Sequence, residues 1–175
     1  MMTINFILNG EDVSVETDPG KRLVDILRKD FKLSGTKRSC NTGICGSCLV
    51  IFNEEIMQSC LIPAFRVQDS EIVTIEGFSQ TDEYKDYIQG FMEAKIEHCG
   101  FCVSGKILAS ESLLNRNPRP TREEILSAFQ GIKCRCTSQE ELVKSLVAVT
   151  EQRRRRLHGF PKGWNFSKGG FLIES

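Results

Sequence analysis

What is missing from this 175-residue chain narrows what it can be. It carries no excess of charge: 23 Lys and Arg balance 23 Asp and Glu, for a net charge of zero. That balance argues against a general binder of nucleic acid or of an anionic membrane surface, since both draw on surplus positive charge. No uninterrupted apolar run approaches the ~20 residues that span a bilayer, so no membrane segment is expected. The start, Met1-Met2-Thr3-Ile4-Asn5-Phe6, lacks the basic-then-apolar layout of a secretory signal. A cytoplasmic location is therefore the default expectation. There is no repeat and no low-complexity tract, and nothing resembles a hydrolytic triad.

Cysteine is what the chain does have. Its eight cysteines fall into two sets of four with none left over. Cys40, Cys45, Cys48 and Cys60 read C-x4-C-x2-C-x11-C, and Cys99, Cys102, Cys134 and Cys136 read C-x2-C-x31-C-x-C. Three chemistries compete for such sets. Disulfide scaffolds are secreted, short and usually above about 8–10 % cysteine, and no export signal is present here. Zinc remains a competitor for the second set, because C-x2-C with a distant cysteine pair is also a zinc signature. For the first set, C-x4-C-x2-C compressed into one loop is the plant-type spacing for a 2Fe-2S cluster, in which four thiolates hold two irons. A chain that commits every cysteine to four-ligand sites is built to carry electrons.

Two modules are expected. In residues 1–78, Thr3-Ile4-Asn5-Phe6-Ile7-Leu8 and Glu11-Asp12-Val13-Ser14-Val15-Glu16-Thr17 flank Asn9-Gly10, a strong hairpin turn signal. After Asp18-Pro19-Gly20, residues Leu23, Val24 and Leu27 mark a helix ending near Asp30. The cysteine loop follows, then strands over 48–52, 57–61 and 71–75. Hairpin, helix and short strands in that order describe a β-grasp ferredoxin, a mixed α+β domain. A polar linker is expected over 79–82. Beyond it, over 84–157, the apolar period becomes helical. Tyr84, Ile88, Phe91 and Ile96 form one stripe, and Val103, Ile107, Leu108 and Leu114 a second. Thr121-Arg122-Glu123-Glu124 and Ser138-Gln139-Glu140-Glu141 are capping boxes that open a third and a fourth helix. Four short amphipathic helices make a small all-α bundle. In each half of it a cysteine pair stands just before a helix.

Thiolate ligands need a pKa below the usual 8.5 or so of free cysteine. Gly43 and Gly46 allow the loop over 41–47 to wrap sulfur and aim its amides inward. Cys60, on a neighbouring strand, would tie that loop to the sheet. In the second module the entrances of two helices offer free N–H groups and partial positive charge to the thiolates. Lys37 and Arg38 read as a solvated loop face, and Arg135 as a partner contact or an internal ion pair.

Taken together, the motifs resemble a known family. Ser39-Cys40-Asn41-Thr42-Gly43-Ile44-Cys45-Gly46-Ser47-Cys48-Leu49-Val50, followed by Ser59-Cys60-Leu61, resembles the N-terminal cluster loop of the small iron–sulfur subunit of the xanthine dehydrogenase, or molybdenum hydroxylase, family. His98-Cys99-Gly100-Phe101-Cys102 and Cys134-Arg135-Cys136-Thr137 resemble its second signature. The resemblance covers residues 3 to about 157. It implies that all eight cysteines are metal ligands for two 2Fe-2S clusters. It also implies a partner large subunit that binds molybdopterin and a medium subunit that binds FAD. The second cluster would lie nearer molybdenum and the plant-type cluster nearer the flavin. The reaction of the complex would be hydroxylation of a purine, aldehyde or N-heterocycle; this chain would relay electrons and touch no substrate.

Three departures bear on the partner. Where the family usually has Gln before its C-G-x-C motif, in contact with the pterin, this chain has His98, which makes His98 a candidate for cofactor binding. Cys102-Val103-Ser104-Gly105 lacks the usual Thr and Pro, and Cys136-Thr137-Ser138-Gln139 lacks a Gly and a Tyr. These leave open a two-cluster carrier with a non-molybdenum partner; the zinc-like spacing of the second set separately leaves open a ferredoxin-like domain fused to a zinc-stapled interaction module. Arg153-Arg154-Arg155-Arg156 ends the last helix, where cations favour the dipole. The tail over 158–175 mixes apolar residues with turn formers and is expected to drape over a partner subunit.

Overall fold

The computed structural model describes residues 1–158. Strands β1 (Met2–Leu8) and β2 (Glu11–Thr17) pair antiparallel, Met2 opposite Thr17. Asn9 and Gly10, at φ 54° and 85°, turn the chain between them. Two left-handed residues in succession give the turn whose twist suits a hairpin. Ile4, Phe6 and Leu8 point inward with the period of two that a strand imposes.

Helix α1 (Leu23–Lys29) buries Leu23, Ile26 and Leu27 against Ile4, Phe6, Val50 and Ile72 of the sheet. Strands β3 (Leu49–Phe52), β4 (Glu55–Gln58) and β5 (Glu71–Val73) complete it in the order β2-β1-β5-β3-β4. Only the β1–β5 pairing is parallel. This is the expected β-grasp.

Two expected strands end early, each because a side chain takes over the hydrogen bonding. β4 stops at Gln58, and Ser59–Leu61 forms a 3-10 turn. The backbone N–H and the hydroxyl of Ser59 both donate to the Cys48 carbonyl oxygen, at 3.1 and 2.7 Å. Cys60 therefore sits on a tight turn and not on a strand. β5 stops at Val73, because the Thr74 N–H donates to Asn9 Oδ1 at 2.8 Å, and α2 (Ile75–Phe78) begins at once. The expected linker is also almost absent. Ser79 closes α2, and Thr81 Oγ1 accepts from the Tyr84 N–H to cap α3 (Asp82–Ala94).

Helices α4 (Val103–Arg116), α5 (Arg122–Phe129) and α6 (Gln139–His158) follow. Both capping boxes form, Thr121 with Glu124 and Ser138 with Glu141. All four anticipated helices exist, but α6, at 20 residues, is long. Its arginine run is spent on packing, so more than the dipole holds it. Arg153 bridges Glu111 of α4 and Asp86 of α3, at 2.6 and 3.4 Å. Arg156 reaches Asp86 at 2.9 Å and Glu83 at 3.1 Å, and Arg155 reaches Glu93 at 3.1 Å. Arg154 pairs with Glu151 in its own helix.

The helical core gathers Tyr87, Leu108, Ile125, Leu146 and Val149, and Leu49 of β3 belongs to it as well. Sheet and bundle thus share buried surface. Among the described residues no helix is long and apolar enough to cross a membrane. The tail expected to contact a partner lies outside the described residues, apart from His158.

Candidate metal centres

The first thiol set is built around one loop. Cys40 and Cys45 are partly exposed, whereas Cys48, just before β3, and Cys60 on its 3-10 turn are buried together against Val24 of α1. Gly43 and Gly46 adopt φ 78° and 68°, left-handed values that a side chain disfavours, so the loop turns sharply where expected. The Thr42 N–H donates to Cys40 Sγ at 3.4 Å, and the Cys45 N–H adds a second contact. Those donors bring the Cys40 thiol down to about 6, while burial pushes Cys48 up to about 12.

The second set repeats this division. Cys102 is the N-cap residue of α4, and Cys134 and Cys136 precede α6. All four thiols line one open cavity of about 880 Å³. Cys102 Sγ lies 3.4 Å from Cys134 Sγ and 3.9 Å from Cys99 Sγ. The N–H groups of Phe101 and Cys102, at the mouth of α4, hold Cys99 down. Burial pushes Cys102 up to about 12. Burial also acts against ionisation of Cys134, but the Cys136 N–H, the Cys102 thiol and the Lys106 ammonium outweigh it and bring Cys134 to about 6. Cys136 is raised, chiefly by the neighbouring Cys99.

Each set thus holds at least one thiol ready to ionise beside one that stays protonated without help. A bound cation supplies that help, because metal binding displaces thiol protons. Among the described residues no group of three or more His, Cys, Asp or Glu side chains is arranged to hold a metal ion. In the second set Cys102 stands beside both Cys99 and Cys134, and a group of four thiols suits a centre in which four thiolates share two irons. The donor set, soft sulfur with amides directed at it, fits such a cluster.

The two sets meet at a seam. The Lys133 N–H donates to the Cys45 carbonyl oxygen at 3.0 Å, joining the first loop to the residue before Cys134. The seam is tight: a Cβ on Gly105 would lie 2.4 Å from the Gly46 carbonyl oxygen, and one on Gly46 would lie 2.5 Å from that of Gly131.

His98 stacks on Phe91 at 4.2 Å between ring centroids, and its Nε2 lies 3.2 Å from Ser145 Oγ. Its Nδ1 is buried with no hydrogen-bond partner among the described residues, and burial, with Lys106 nearby, lowers its pKa to about 4. Arg38 is not merely solvated: it pairs with Asp25 at 3.3 Å. Lys37 donates to the Ser34 carbonyl. Arg135 is exposed at the cavity and has no ion pair among the described residues. Two residues at the site are not evident from the motif spacings, Lys106 and Lys133. Lys106 was findable, since it stands one helical turn after Cys102 and inside an apolar stripe.

Known proteins share this arrangement. Residues 6–72 match the 2Fe-2S iron-sulfur cluster binding domain family and residues 74–147 the 2Fe-2S binding domain family. The chain is 45 % identical over 136 residues to the nicotinate dehydrogenase small FeS subunit of Eubacterium barkeri, covering 78 % of this chain and 87 % of that protein. It is 34 % identical over 152 residues to a probable xanthine dehydrogenase subunit of Bacillus subtilis (strain 168), covering 87 % of this chain and 85 % of the relative. Among solved structures, quinoline 2-oxidoreductase from Pseudomonas putida 86 superposes with a TM-score of 0.80 at 35 % identity, over 88 % of this chain and 96 % of the matched chain. The chain belongs to the small iron–sulfur subunits of the xanthine dehydrogenase, or molybdenum hydroxylase, family, with two 2Fe-2S binding domains.

Proposed function

We propose that this chain is the electron-relay subunit of a cytoplasmic molybdenum hydroxylase, with residues 1–78 and 84–157 as its two cluster-bearing domains. Cys40, Cys45, Cys48 and Cys60 would hold one 2Fe-2S cluster and Cys99, Cys102, Cys134 and Cys136 the other. The observation that carries this reading is the pair of thiol sets joined across the Lys133–Cys45 hydrogen bond, only one residue from Cys134. When bound, such clusters take up and release electrons one at a time. The protein's own part is to hold the thiolates, direct amide N–H groups at sulfur, and keep the two loops in fixed register through Gly46 and Gly105.

Relatives named as dehydrogenase subunits support a large molybdopterin-binding subunit as partner and a medium FAD-binding subunit as acceptor. His98 is proposed to contact the pterin because it stands directly before the Cys99-Gly100-Phe101-Cys102 motif, where the family usually has Gln. The tail over 159–175 is proposed to lie on the partner. Eight free thiols suit a reducing compartment, which supports the cytoplasmic home.

The test is to purify the tagged chain from its own cells and analyse what accompanies it. The reading expects a larger subunit with stoichiometric molybdenum and pterin. A chain that carries iron but never brings molybdenum would contradict it.

A further inference from the structure

Lys106 lies one turn into α4 and is only 1 % exposed. A lysine removed from water either acquires a counter-charge or surrenders its proton. Among the described residues its Nζ donates to the Thr137 hydroxyl oxygen at 2.9 Å and also faces the Cys134 thiol, and no carboxylate stands in ion-pair range. Glu141 feels its charge, but Glu141 Oε2 accepts from the Ser138 N–H and hydroxyl to cap α6. Thr137 is itself buried and directly follows Cys136, so the ammonium is pinned at the root of the Cys134–Cys136 pair. Cys102, the N-cap of α4, stands one helical turn before Lys106 on the same face, and among the described residues no comparable buried lysine stands beside the first set.

We propose that the thiolates of the second quartet are the counter-charge of Lys106, and that this fixed ammonium makes the second centre easier to reduce than the same thiolates would be without it. One electron, from dithionite or from the molybdenum subunit, adds one negative charge to that centre. No bond is made or broken at Lys106 and no proton moves. The ammonium offsets the added charge inside a low-dielectric site, where screening is weak. Lys106 is thus a positioning and tuning residue. The inference rests on the cluster reading given under Proposed function.

The test uses the full chain with its clusters, titrated potentiometrically with EPR detection; Cys134→Ser assigns the signal of the second centre. Lys106→Met is expected to lower the reduction equilibrium constant of that centre at least tenfold, about 59 mV for one electron, while the first centre stays put. Lys106→Arg, which keeps the charge, is expected to stay within threefold of the wild type. A Lys106→Met chain whose second centre moves less than twofold, or whose two centres move together, would overturn the inference and leave the cluster reading intact. Should the methionine variant not fold, Lys106→Gln is titrated against the same thresholds. If both neutral variants lose the second pair of irons, retention in Lys106→Arg supports the inference and loss there overturns it. A wild-type chain with no iron at the second quartet would overturn both readings at once.

Discussion

The backbone N–H of Lys133 donates to the carbonyl oxygen of Cys45, 88 residues earlier in the chain, at 3.0 Å. Through that bond the loop carrying three thiols of one set is fastened to the strand of chain that enters the other. The contact is possible because Gly46 and Gly105 bring two backbones together with no side chain between them.

Gly105→Ala should therefore damage the seam more than the helix. Alanine favours the helix itself, yet its Cβ would press 2.4 Å from a carbonyl oxygen that cannot rotate away. Overpacking of this kind costs about 1–3 kcal/mol. Denaturant unfolding should register that loss, and alkylation of Cys45 should quicken. An alanine variant as stable as the wild type, with Cys45 labelled no faster, would contradict the seam.

The arginine run divides into structural and superficial members. The Arg153 side chain is 13 % exposed, and its partners Glu111 and Asp86 are each 5 % exposed. Among the described residues, Arg153→Met leaves Glu111 with only the Tyr87 hydroxyl as side-chain donor and should cost about 3 kcal/mol. Arg154→Met, at a half-exposed position paired within α6, should cost less than about 1 kcal/mol. Equal losses in urea unfolding would mean that burial does not rank these pairs.

Tyr87 makes the bundle sensitive to alkali. Its phenol is fully buried and donates to Glu111 Oε2 at 3.0 Å, and burial followed by the Glu111 charge raises its pKa well above 10. A raised folded-state value means that the unfolded chain loses its proton first. The stability tied to this proton is complete below the ordinary phenol value near 10 and is lost as pH climbs through the raised one. Tyr87→Phe should lower stability by about 1 kcal/mol at pH 8 and flatten the decline above pH 10. Parallel unfolding curves of both proteins across that range check it.

Removal of single thiols should separate the two centres. Cys60→Ser is expected to abolish one reduced-state EPR signal and Cys134→Ser the other, each lowering iron by about two per chain. One substitution that removes both signals would contradict independent centres.

The hairpin, α1 and the capping boxes at Thr121 and Ser138 were legible because their signals are local: a turn dipeptide, an apolar period, a hydroxyl three residues before a glutamate. Both four-cysteine sets were legible as spacings. What stayed hidden depends on contacts distant in sequence. Cys60 sits on a 3-10 turn because Ser59 bonds to Cys48, and β5 ends because Asn9 reaches Thr74. The arginine run reads in sequence as a charged helix end; only the approach of α3 and α4 shows that Asp86 and Glu111 take it up. Lys106 looks like an interruption in an apolar stripe until Thr137 and Cys134 are seen beside it.

The most direct measurement is metal analysis with reduced-state EPR on the anaerobically purified chain. Two thiol quartets that each grip a di-iron centre predict about four irons per chain and two distinct signals. A colourless chain without iron, or one signal accompanied by stoichiometric zinc, would contradict the account.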